Sequence, residues 1–276
     1  MATKKKTTRV ATPRILPFAE FVEVADKGTK TEGAEDSARS NGDDFGGCSF
    51  DEAIRLARFG WHEGVQSIKA ALSTDGTADT VQAWEIEQAG IMPCIPAFLS
   101  GSPVCMYQPV ETDGSLRRIA LCFSMSGACT IRASSWLRFA AALSQVTADL
   151  TAAGIDVAVY SFEVSRARGT EARHSYGVAI REFGEPFDLS RIAFAGHPAF
   201  LRRLGFSYCE NTPAHLDIAR SGYGMPESVT VADVRACGSD LPIEAIRCLP
   251  KIDDNSTSTA EYVEQFRKIV GEVIAA

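Results

Sequence analysis

The chain has 276 residues, 45% of them hydrophobic and 23% charged, with a formal net charge of −7. That length holds one large domain, or one domain with an elaboration, and the composition is ordinary for a globular protein. The acidic balance argues against broad, nonspecific coating of duplex DNA, and no apolar run is long enough to span a membrane.

The first 14 residues carry Lys4, Lys5, Lys6, Arg9 and Arg14 and no acid. They read as a mobile basic tail, solubilising or steering toward an acidic partner or nucleic acid, and with no apolar segment behind the lysines they are not a secretory signal. Residues 15–24 alternate enough for a short strand. Residues 25–47 are polar and glycine-rich and read as a disordered linker.

At Ser49 the pattern changes. Ser49 with Glu52 forms a capping box, and Phe50, Ile54 and Ala57 share one helical face. Gly60-Trp61 breaks that helix, with Trp61 locking the corner, and a second helix starts at His62. A helix-turn-helix is the other reading of this corner, though Glu63 would face phosphates unfavourably. Thr80–Gln88 is strand-like. Ile91–Val110 is loop-rich, punctuated by Pro93, Pro96, Pro103 and Pro109.

From residue 116 strands and helices alternate. Arg118–Phe123 predicts an apolar strand. Ala133–Ala153 predicts a helix with Trp136, Leu137, Ala140, Leu143, Val146 and Leu150 inward, stopped by Gly154. Asp156–Phe162 is nearly continuous in apolar content, as a strand buried on both faces should be. His174–Phe183 is a further strand, and Asp188–Leu204 is helical with a break at 196–198. Ser228–Ala236 and Ile243–Leu249 are late strands, and Thr259–Ala275 is a final amphipathic helix. This order predicts an α/β fold, a three-layer sandwich around a mostly parallel, Rossmann-like sheet, with an N-terminal helical and loop elaboration. The predicted boundaries are a tail and linker over 1–47, the elaboration over 48–115 and the α/β domain over 116–276.

The eight cysteines (Cys48, Cys94, Cys105, Cys122, Cys129, Cys209, Cys237 and Cys248) form no C-x-x-C pair and read as buried thiols of a reducing cytoplasm. His62, His174, His197 and His215 show no metal-ligand spacing. No P-loop, G-x-G-x-x-G or G-x-S-x-G element is present, so the chain is not expected to be an enzyme; the one nucleophile–base pair to test is Cys209 with His197.

Two segments carry the functional expectations. The first strand ends in Cys122-Phe123-Ser124-Met125-Ser126-Gly127, at the place where open α/β sheets put their sites. The strand–turn–helix–strand unit over 116–165 resembles the start of a von Willebrand factor A domain, whose first strand ends in D-x-S-x-S and holds a divalent cation. Ser124 and Ser126 match the two serines, and Cys122 stands where that family has Asp. The resemblance therefore implies a degenerate metal site: no cofactor, or a divalent cation held weakly, because a thiol is a poor magnesium ligand. Asp233 is a distant candidate for a replacement carboxylate, and the bland reading has the serines only shaping the turn and capping the helix. The resemblance also implies an adaptor that docks a protein partner, an AAA+ ATPase among the classes. The whole chain further resembles a phage-associated protein family through Ser49–Gly64, Phe98–Met106 and His197–Glu210. That resemblance implies a protein of the host cytoplasm and no reaction.

The second segment is His197–Glu210. It sets His197, Arg202 and Arg203 beside Phe200, Phe206 and Tyr208. Cations interleaved with aromatics suit a protein hot spot or a single-stranded nucleic-acid surface, and in a phage setting the latter would recruit a polymerase or replication protein. The bland alternative is a short amphipathic helix with Phe200 and Leu204 inward and both arginines in solvent.

Overall fold

A computed structural model describes residues 14–34, 36–40, 47–74, the short strands at 86–87, 92–93 and 106–107, and residues 117–166, 173–220 and 222–274. The basic tail at 1–13 and most of 75–116 lie outside the described residues.

Strand β1 (Ile15–Pro17) leads into α1 (Phe18–Lys27). The strand expected over 15–24 therefore stops at Pro17, and Phe21, Val22 and Ala25 bury one face of the helix that replaces it. Helices α2 (Phe50–Phe59) and α3 (His62–Thr74) follow. Ser49 caps α2 through the Glu52 amide (3.2 Å), and Gly60 ends it at φ 84°, where a side chain would be strained. Three two-residue strands, β2 (Ile86–Glu87), β3 (Met92–Pro93) and β4 (Met106–Tyr107), pair antiparallel in the order β2-β4-β3. The rest of the expected Thr80–Gln88 strand is outside the described residues.

The main unit is β5 (Arg118–Ser124), α4 (Ala133–Ala152) and β6 (Asp156–Arg166), continued by β7 (Arg173–Arg181). Then come α5 (Leu189–Ala195), a π-helical turn (Phe200–Gly205), α6 (Phe206–Asn211), α7 (Leu216–Arg220), β8 (Met225–Pro226), α8 (Val231–Ala236), β9 (Ile246–Cys248) and α9 (Thr259–Ile274). The six-stranded sheet runs β1-β7-β6-β5-β9, with β8 paired to β6. It is mixed and mostly parallel, flanked by helices as in a Rossmann-like three-layer sandwich: β5 is parallel to β6 and β9, and β1 to β7, while β7 and β8 run antiparallel to β6. The reversal at β7 has a simple cause. Only residues 167–172 separate it from β6, and a parallel crossover needs about a dozen.

Side chains alternate across the sheet. Ile119, Leu121, Phe123, Val157 and Val159 face the thick helical side with α1, α4 and α9, whereas Ala120, Cys122, Ala158, Tyr160, Phe162 and Val164 face Val229, Val234 and Cys237 around α8. Helix α4 is buried nearly all round rather than on one stripe, because α9, α5 and α3 pack against it, with Ile68 and Ala193 on Ala140 and Ala141.

Three expectations are corrected. Ser228–Ala236 contains the helix α8, because Thr230 and Asp233 make a reciprocal capping box that overrides the V-x-V alternation. The described part of 25–47 is ordered, not a free linker. Within the stretch expected as tail and linker, β1 joins the main sheet, lying along β7 with Leu16 opposite Val178.

Candidate functional site

The parallel strands β5 and β6 end at one rim of the sheet, where the chain's own residues fill the usual ligand crevice. Ser124 donates to the Glu227 carbonyl (3.0 Å) and accepts from the Ser126 amide (3.2 Å). Ser126 accepts from the Val164 amide (3.3 Å) and is hydrogen-bonded to the Glu163 carboxyl. Cys122 is buried on the opposite face beside its β9 partner Cys248, and burial drives its thiol well above the ordinary range. Strand β8 pairs with β6 where β5 has already left. Arg173 ties it down, bonding both Asp233 oxygens (2.8 and 2.7 Å) and Glu227. Asp233 is thus committed to Arg173 and to the start of α8. Among the described residues no group of three or more His, Cys, Asp or Glu side chains is arranged to hold a metal ion.

From this rim the loop between β5 and α4 projects, exposed at Ala128, Cys129 and Thr130. Buried or bridging side chains hold it on every side. Arg202 donates to the Ala128 carbonyl (3.0 Å). Asn255 accepts from the Arg132 amide (2.7 Å) and the Ser135 hydroxyl (3.0 Å) and donates to the Thr130 carbonyl (3.0 Å). Asn255 therefore braces the residues that lead into α4 and ties them to the first turn through the Ser135 hydroxyl. The ring of Trp136 lies against Gly127, where an added Cβ would come within 2.6 Å of it.

The His197–Glu210 segment is not the exposed surface expected of it, nor the amphipathic helix with solvated arginines. His197, Phe200, Arg202, Arg203 and Tyr208 are all buried, and only Phe206 is half-exposed, stacked on Tyr223. The π-helical turn turns two consecutive arginines inward. Arg202 takes the β5–α4 loop. Arg203, 5% exposed, donates to the carbonyls of Ala38 (2.8 Å), Ser40 (2.7 Å) and Cys48 (2.9 Å). Seven residues on, Glu210 accepts from the amides of Ser37 (2.8 Å) and Ala38 (3.1 Å) and from the Tyr223 hydroxyl (2.5 Å). Asn211 binds the Val24 carbonyl and Arg220 those of Glu32 and Gly33. The described parts of the polar 28–48 segment form a strap held by its main chain, and the arginines are the clamp.

His197 packs on Trp61 and Phe194 and accepts from the Ala199 amide (3.1 Å), while Cys209 lies with Tyr176 and Glu163. No hydrogen bond joins Cys209 to His197, so the nucleophile–base pair is not formed. Burial holds the Cys209 thiol far above the ordinary range and His197 down to about 4.

Under α6 the helix-facing side of the sheet turns polar. Ser161, Glu163 and Ser165 of β6 point the same way, with Tyr176 opposite Glu163 and His174 opposite Ser165 on β7. His215 sits edge-on to His174 at 4.5 Å and against Tyr176 and Tyr208. Burial pushes Glu163 up to about 7, opposed by the Ser126 and Ser165 hydroxyls, and pushes His174 down to about 4. His215 falls to about 3 through burial, then through His174 and Arg14. Sequence reasoning ended this strand at Phe162 and missed Glu163. The available signal was an acid inside a run of apolar residues, VAVYSFEVS. Asn255 and Glu210 left no comparable mark.

The fold and its rim define the class: an α/β sandwich whose central strand end is hydrogen-bonded to its own residues and whose first crossover loop is held by Arg202 and Asn255. The chain belongs to the family described as "Domain of unknown function (DUF7192)", whose model matches residues 3–271. No curated protein and no solved structure matches it.

Proposed function

We propose that the protein is a non-enzymatic protein-interaction module, an adaptor that docks a protein partner on the β5–α4 loop. The observation that carries this reading is the loop itself. Residues 128–130 and 132 stand in solvent, with Ile131 turned into the core between them, while Ser126, Arg202 and Asn255 fix the backbone from behind. A surface ordered before binding loses little entropy on docking, and loops on a rigid scaffold are where binding residues concentrate. In this reading the β5–α4–β6 unit is a von Willebrand factor A-like module in which internal hydrogen bonds replace the cation. A phage-associated adaptor working in the host cytoplasm, with an AAA+ ATPase or polymerase as partner, fits the same reading. The test is a tagged pull-down from cells carrying the protein's natural neighbours, comparing the parent with a double variant, Ala128→Arg and Thr130→Arg. Loss of a nuclease-resistant partner at unchanged melting temperature is the expected result. Undiminished recovery with the double variant removes the loop as the docking surface.

A second reading, single-stranded DNA binding, keeps only the basic tail, because Arg202 and Arg203 are committed inside. Arg14, the root of that tail, lies beside Gly177 at the same rim as the loop. Phosphate contacts from Lys4, Lys5, Lys6 and Arg9 would weaken steeply with salt.

A further inference from the structure

On the α8 side of the sheet two cysteines stand side by side, and the adaptor reading uses neither. Cys122 of β5 and Cys248 of β9 are paired directly in the parallel register. Residues paired across adjacent strands point to the same face, here the layer that holds Val234 and Ile246. Both thiols are free. Cys122 is fully buried, and its Sγ makes only a weak contact, 3.9 Å from the Ala120 carbonyl. Cys248 is half-buried, so a small solute can reach it. The third cysteine on this side, Cys237, is turned toward β7, where it is hydrogen-bonded to Ser175 and the Gly177 backbone. Cys48 and Cys209 belong to the core on the other face.

The spacing suits a covalent link. Neighbouring strands lie about 4.8 Å apart, inside the roughly 4.4–6.8 Å between the Cα atoms of a disulfide, and the two Cβ atoms have to close by about 1 Å. Strand β9 can supply that movement. It is three residues long, lies at the end of the sheet and has β5 as its one strand partner among the described residues. A disulfide closed against such resistance is reduced more readily than a relaxed one, which makes it reversible.

We propose that Cys122 and Cys248 form a redox-modification site, a dithiol that hydrogen peroxide converts reversibly into a cross-strand disulfide. The Cys248 sulfur, nearer solvent, attacks one oxygen of the peroxide. The O–O bond breaks, leaving a sulfenic acid on Cys248 and releasing water. The Cys122 sulfur then displaces the hydroxyl: the S–S bond forms, the S–O bond breaks, and the Cys122 proton leaves with the hydroxyl as a second water. Two thiols are oxidised and one peroxide is reduced, and a small thiol reverses the bond by exchange. Burial raises both thiols, Cys248 to about 11, so the pair reacts slowly and stays reduced until oxidant persists. The bond staples β9 to β5 and so anchors the segment that runs on to Asn255, the brace of the docking loop. The staple itself does not depend on docking.

The experiment treats the reduced full chain with hydrogen peroxide, raised until the exposed Cys129 is oxidised, then unfolds it in an alkylating reagent and maps its peptides by mass spectrometry without reductant. The expected result is one peptide pair joined through Cys122 and Cys248, lighter by two hydrogens than the reduced peptides together and lost on adding dithiothreitol. In Cys248→Ser the link should be missing and Cys122 should be recovered alkylated. A digest in which Cys129 is oxidised while Cys122 and Cys248 are both alkylated overturns the site. So does a link from Cys122 to Cys237 in place of Cys248. Both overturning results are read on the parent protein and do not depend on how the variant folds. No partner takes part, so the site can fail while docking stands, or docking fail while the site stands.

Discussion

Two segments of this protein are held in place by opposite means. In the β5–α4–β6 unit apolar surface does the holding: Phe123, Phe139, Leu143 and Val159 interlock between the sheet and the helices over it. In the described part of the strap from 28 to 48 there is little apolar surface to bury, and Arg203, Glu210 and Arg220 hold the main chain instead. The difference teaches that a segment whose own composition predicts disorder is ordered when charged side chains elsewhere supply its hydrogen bonds. Such a segment is a passive ligand of the domain that carries it. Its clamp sits one residue from Arg202, so the strap and the docking loop share the π-helical turn as a common support.

The comparison can be broken from either side. Phe139→Ala should cost the most, about 3–5 kcal/mol, because Phe139 lies among Phe123, Tyr262 and Phe266 and its loss leaves a cavity under α4. The whole domain should melt earlier in calorimetry, with the strap following passively. Arg203→Ala should cost roughly 2–4 kcal/mol by leaving buried carbonyls without their donor. Here the damage should be local: limited proteolysis should cut within 28–48 while the melting of the sheet domain shifts little. A variant as resistant as the parent would show that the strap is held by something other than the clamp. The smallest effect belongs to Asn255→Ala, about 1 kcal/mol, the usual net worth of a lost hydrogen bond. Its signature should be faster hydrogen exchange in 128–132 and in the first turn of α4, with the strap unchanged.

Much of the fold was legible because it follows local rules. The apolar runs of β5 and β6, the Ser49 cap of α2 and the amphipathic face of α9, with Tyr262, Phe266 and Val270 inward, appear where the pattern puts them, and α4 spans the residues its period marks; the other half of the expected capping box does not form, because Glu52 pairs with Arg55. The reversal of β7 was also within reach, since six residues cannot make a parallel crossover. The site was legible only in part. Ser124 and Ser126 are at the rim as read, but their partners, Glu227 and Glu163, are set by strand pairing between distant parts of the chain. In the His197–Glu210 segment the cations and aromatics expected at a surface lie inside instead. Arginines next to aromatics suggest a surface because burying two guanidiniums is ordinarily costly. What offsets that cost here is a set of carbonyls more than 70 residues away in sequence at the nearest, and 155 or more for Arg203.

By itself, then, the sequence determined the layered α/β architecture, the rim at which the central strand ends and the pair of hydroxyls found there. These depend on side-chain periodicity and turn chemistry over a few residues. The tertiary structure alone decided which polar groups meet: the strap with its arginine clamp, Asn255 with the start of α4, and Glu163 with Ser126 beneath the loop. Such pairings join elements far apart along the chain, and a hydrogen bond across that separation leaves no local pattern for a sequence to display.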